Sequence, residues 1–76
     1  MLTLDANVWV AAFDPRDRFH GPSVAFLRAV GLQRVRLHAP AFLLLEVACA
    51  VARRAGDAAA GHAAAERLQR HPLLTL

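Results

Sequence analysis

The chain has 76 residues, 57% of them apolar, a single Cys and a formal net charge of +3. That length allows one domain at most, and a body this small buries only about 60% of the surface its unfolded chain exposes. A lone Cys excludes a disulfide framework, and the longest apolar stretch, Ala41 to Leu45 and Val47 to Ala52, is broken by Glu46 and too short to span a bilayer.

The apolar fraction exceeds the usual figure of roughly 45 to 50%, softened by seventeen alanines. The surplus points to a partner surface or to a missing part of the same domain. All nine basic residues are Arg, in four pairs (Arg16 with Arg18, Arg34 with Arg36, Arg53 with Arg54, Arg67 with Arg70) and Arg28 alone. Scattered pairs fit solvated faces; they also fit a groove that holds nucleic acid, because the guanidinium fork donates two hydrogen bonds to a phosphate. No basic region opens the chain and an acid stands at position 5, so the N-terminus does not read as a signal peptide. The unpaired Cys49, inside an apolar stretch, reads as a small core residue of a protein in a reducing cytoplasm.

Leu2 to Leu4 is a short apolar run with a β-branched residue, long enough for a buried parallel strand, and it ends at Asp5-Ala6-Asn7. Ligands of open α/β sheets bind beyond the carboxyl ends of the strands, so Asp5 is placed either to face a site or simply to cap the next helix. Asn7, two residues on, is within reach of the Asp5 carboxylate. Trp9, Val10 and Phe13 then recur at helical spacing over Ala6 to Phe13, and Asp14-Pro15 ends that helix in a polar loop. Pro22 at a first helical position opens a second helix with Val24, Phe26, Leu27 and Val30 on its apolar face and Gly31 as its stop.

Val35 to Ala39 reads as a second strand. Pro40 opens a third helix that runs to Arg53-Arg54 and closes at Gly56. Being apolar nearly all round, this helix should be buried on more than one side, where its only acid, Glu46, needs a partner or a cation. Asp57 is the N-cap of a fourth helix through Gln69, weakened in its middle by Gly61, and Leu73 to Leu76 is a third strand. Strands alternating with helices imply an α/β fold: a three-layer parallel sheet with helices on both faces.

Leu4-Asp5-Ala6-Asn7-Val8-Trp9 resembles the opening of PIN domains. Pro40 through Leu45-Glu46-Val47 to Arg53 is similar to the helix that carries that family's second acid, and His20 with Val24, Phe26 and Leu27 fits its first long helix. The resemblance runs along the whole chain in order and covers the family's N-terminal half, a PIN-like domain truncated after the third strand. It implies a metal-dependent endoribonuclease, most often the VapC-type toxin of a toxin–antitoxin pair. Such an enzyme would use Mg²⁺ or Mn²⁺, with Asp5 and Glu46 as catalytic metal ligands and Asn7 orienting Asp5.

The implied partners are RNA and a cognate antitoxin protein, with no membrane. The family's later acids would lie beyond Leu76, and two carboxylates hold a hydrated hard cation only loosely. The family's sheet order, 3-2-1-4-5, would leave the first strand at an open edge, where unpaired backbone groups recruit a second copy as a homodimer. The other reading is a catalytically inactive fragment acting as a protein-interaction module. Asp14, Asp17 and Asp57 match no metal position of the family. His20, His38, His62 and His71 share no ligand spacing and read as solvated or packing residues.

Overall fold

The structure, a computed structural model, describes residues 2–76. In chain order its elements are β1 (Leu2–Thr3), α1 (Ala6–Phe13), α2 (His20–Leu32), β2 (Leu37–His38), α3 (Leu43–Ala55), α4 (Ala58–Gln69) and β3 (Leu74–Thr75). The strands lie in the order β1-β2-β3 and are all parallel, with Leu2 beside Leu37 beside Leu74 and Thr3 beside His38 beside Thr75. β2 is central and β1 has one unpaired edge among the described residues.

The expectation of a three-layer α/β sandwich is overturned: four helices carry most of the chain, and each strand is two residues long. The reason lies in what each strand presents. Successive residues of a strand point to opposite faces, so this sheet has one leucine row and one polar row. Leu37 is 1% exposed and Leu2 and Leu74 are half-buried, whereas Thr3 and Thr75 are exposed. The polar row provides no apolar surface for a second helical layer.

Local chemistry also shortens β2. The amides of Arg34 and Val35 turn back to the carbonyls of Gly31 and Val30, at 3.2 and 3.1 Å. This is the paired-bond cap of a helix C-terminus, and it takes up the Val35 N–H that a longer strand would use. Pro40, after Ala39, has no N–H to continue the ladder. Arg34 occupies the left-handed position of this cap at φ 53°, so α2 runs through Gly31, the expected stop, to Leu32. A non-glycine residue there costs roughly 1–2 kcal/mol. Pro22 is the third residue of α2, not its first.

The end of α3 and the start of α4 follow the sequence, but the start of α3 does not. Gly56 takes φ 64° at the end of α3, and the amides of Gly56 and Asp57 both donate to the Ala52 carbonyl. Asp57 caps α4 by accepting from the Ala59 amide at 2.9 Å. α3 itself begins at Leu43, after a turn at Ala41 and Phe42 that follows Pro40.

Trp9 and Val10 of α1, Val30, Leu37, Leu43, Val47, Ala64 and Leu68 form one core. α3 is buried on one side only, through Leu43 and Val47, while Leu45 is 66% exposed and Cys49 is exposed rather than a core residue. Glu46 is likewise exposed, so it bears no burial cost. The most extensive helix contact is α3 against α4. Gly61 is buried there: a Cβ on it would overlap the Ala48 carbonyl oxygen and come within 2.9 Å of the Ala52 Cβ.

The loop between α1 and α2 is tied to the far end of α3 by ions. Arg54 donates to Asp17 at 2.6 Å and to Asp14 at 3.3 Å, and Arg16 donates to the Arg54 carbonyl at 2.9 Å. The Arg16 amide first, then the Arg16 and Arg54 side chains, hold Asp14 below the ordinary carboxylate range; Arg54 first, then the Phe19 amide, do the same for Asp17. His20 fixes the same corner, its Nδ1 lying 2.9 Å from the Ala11 carbonyl oxygen.

Helix propensity alone would make Gly→Ala stabilising by up to about 1 kcal/mol. Gly31→Ala, with no atom within 4 Å of the new methyl, is expected to follow that rule. Gly61→Ala is expected to lower stability by about 1–2 kcal/mol, because overpacking costs roughly 1–3 kcal/mol and outweighs propensity. Urea unfolding of both variants checks this; a stabilised Gly61→Ala would show that α3 and α4 do not approach as described.

Depressed carboxyl values contribute stability that is present above the unfolded value, about 4, and lost as pH falls through the folded one. Arg54→Gln is therefore expected to be less stable than the parent at neutral pH, with the gap closing below about pH 4. A gap that stays constant in thermal melts down to acid pH would remove the ion pairs from the account.

Candidate metal and phosphate groove

Asp5 follows the end of β1 and stands at the N-cap of α1, with extended backbone (φ −66°, ψ 150°), yet its side chain makes no cap hydrogen bond. The helix start is held by the backbone instead, Val8 N–H donating to the Asp5 carbonyl at 3.1 Å. The Asp5 carboxylate accepts a long bond, 3.4 Å, from Asn7 Nδ2. Asp57, which does cap its helix, is the contrast. An Asp at an N-cap ordinarily satisfies a backbone amide of the first turn; the exposed Asp5 carboxylate accepts from the Asn7 side chain instead.

Asn7 and Val10 of α1 face Leu45, Glu46, Cys49, Ala50 and Arg53 of α3 across an open groove of about 410 Å³. The structure thus brings Asn7 and Glu46 to one groove. Asp5 is not among the residues lining it, and adjoins it through its bond to Asn7. No group of three His, Cys, Asp or Glu side chains able to hold a metal ion occurs among the described residues. The oxygen donors in the groove are the Glu46 carboxylate and the Asn7 amide, with the Asp5 carboxylate bonded to Asn7 outside the lining. These are hard oxygen donors, suited to Mg²⁺ or Mn²⁺ carrying most of its own water.

Arg53 was not distinguished by the sequence from its neighbour. The helix separates the two: Arg54 is drawn to Asp14 and Asp17, while Arg53 lines the groove and makes no ion pair among the described residues. The signal was available, since Arg53 is seven residues after Glu46 and two helical turns put both on one stripe.

Several other titratable groups are engaged away from the groove. His62 and Arg70 flank Glu66 on α4, at 2.9 and 3.7 Å. His71 meets Trp9 edge to face at 5.6 Å, and burial pushes its imidazole below the ordinary value. No helix among the described residues is long and apolar enough to cross a membrane. No family model, curated protein or solved structure matches this chain.

Proposed function

We propose that the α1/α3 groove binds a divalent cation and an RNA phosphodiester, in a metal-dependent endoribonuclease of the VapC toxin class. The observation that carries this reading is the uncommitted Asp5 carboxylate, at an N-cap it does not use, bonded to an Asn that shares a groove with Glu46. The sequence resemblance of Leu4 to Trp9 and Pro40 to Arg53 adds to it. In this reading Asp5 and Glu46 hold the hydrated ion, and Asn7 restrains the Asp5 carboxylate in one orientation. Arg53 receives a phosphate oxygen through its planar pair of donors. The chemistry such an ion supplies is polarisation of a phosphoryl oxygen and acidification of a bound water.

Two carboxylates give weak affinity, so titration calorimetry with Mn²⁺ is expected to show binding in the millimolar range that is lost in Asp5→Asn and in Glu46→Gln. Both changes are also expected to remove metal-dependent cleavage of a single-stranded RNA. Arg53→Gln is expected to weaken RNA binding while leaving Mn²⁺ binding intact. Equal heats from the parent and both acid variants would defeat the proposal.

A second reading has its own observation. Phe42, the N-cap of α3, and Leu45, beside Glu46 in its first turn, are 61% and 66% exposed. Two large apolar side chains on a helix face suit a protein partner of the antitoxin kind. An interaction module of this sort would bind its partner equally well with Asp5→Asn and Glu46→Gln, and would lose at least tenfold in affinity with Leu45→Asp, a change read by pull-down against a co-expressed partner.

A further inference from the structure

A second cleft, of about 370 Å³, lies between α1, α2 and the end of α4. Its polar side chains are Trp9, Arg28, Arg67 and His71, and every other residue lining it is apolar, Phe13 and Leu68 among them. Trp9 is 3% exposed, and its indole Nε1, although buried, has no hydrogen-bond partner among the described residues. A buried donor left in this state is uncommon, and it marks a place where an acceptor would be stabilised.

The hydrogen-bond inventory of the cleft is one-sided. His71 Nδ1 accepts from the Leu73 amide at 3.2 Å, so the neutral ring carries its proton on Nε2 and is a donor there. Burial lowers the pKa of that ring below its ordinary value. Indole and guanidinium groups have no acceptor atoms. Neither Arg28 nor Arg67 makes an ion pair among the described residues; Arg67 instead lies over the Phe13 ring at 4.9 Å. Four side chains from three helices and the segment after α4 therefore carry only donors: the two cationic ones, Arg28 and Arg67, are exposed, His71 is half-buried and the Trp9 indole is buried.

We propose that this cleft is a binding site for a small amphipathic anion: a carboxylate on an aromatic or aliphatic body. The body lies against Phe13 and Leu27, and the carboxylate accepts from Arg28 and Arg67. The site is separate from the α1/α3 groove and does not rest on the ribonuclease reading, since it holds no carboxylate and requires no metal.

The test compares two ligands of the same shape on the full chain without divalent cation: 4-phenylbutyrate and the neutral 4-phenyl-1-butanol. Trp9, the only Trp, reports occupancy by its fluorescence, and calorimetry gives the affinity. The acid is expected to bind at least tenfold more tightly than the alcohol, the worth of a charge-assisted hydrogen bond. The double variant Arg28→Gln, Arg67→Gln, whose substitutions are at exposed positions, is expected to keep the parent's circular dichroism and to lose that preference. Equal affinity for acid and alcohol, an unchanged preference in the double variant, or no binding of 4-phenylbutyrate at millimolar concentration would each overturn the proposal.

Discussion

The approach of α4 onto α3 at Gly61 is the constraint from which the rest follows. A glycine whose missing Cβ would overlap a backbone carbonyl lets two helices meet almost backbone to backbone. Ala48 and Ala52 complete that surface from α3, so the pair packs through small residues while the large ones are left to other contacts. Leu43 and Val47 turn into the core, and Phe42, Leu45 and Cys49 are exposed. The exposed apolar face of α3 and its acid are thus consequences of where α4 sits. A residue with a side chain at position 61 would move α3, and with it Glu46 and Arg53 relative to α1.

The junction between α3 and α4 was legible in the sequence because its causes are local, whereas Pro22, Gly31 and Pro40 did not mark the helix ends expected of them. Gly56 ends a helix by adopting a left-handed conformation, and Asp57 starts the next by accepting from the Ala59 amide; neither depends on distant residues. Burial was not legible in the same way. Cys49 and the solvent side of α3 have the composition of a core, but burial needs a partner surface, and only one side of the helix meets one. The sheet was misread for a related reason: apolar content stood in for alternation. Each strand is a Leu followed by Thr or His, and that two-residue pattern marks a sheet with a single buried face.

The candidate groove divides similarly. The Asp5–Asn7 bond follows from a two-residue spacing that any Asp-x-Asn turn provides. Bringing Glu46 to Asn7 is a tertiary event across nearly forty residues, and only the family resemblance pointed to it. The Arg53–Arg54 pair shows the limit of counting charges. Adjacent helical residues diverge by roughly 100°, so one guanidinium serves the loop carboxylates and its neighbour the groove.

α1 is the wall between the two clefts, and its eight residues sort their chemistry. Ala6, Asn7 and Val10 line the groove toward α3, whereas Trp9, Ala12 and Phe13 line the cleft toward α2 and α4. On a helix those sets form two stripes about a third of a turn apart. The first stripe meets an acid and an arginine, and the second meets two arginines and no acid. A short helix whose Trp9 and Val10 are both nearly inaccessible has little freedom to shift toward one side without disturbing the other. The difference between the two clefts is therefore set by one element: Asn7 on one stripe, facing Glu46 and Arg53, and Trp9 on the next, facing Arg28 and Arg67.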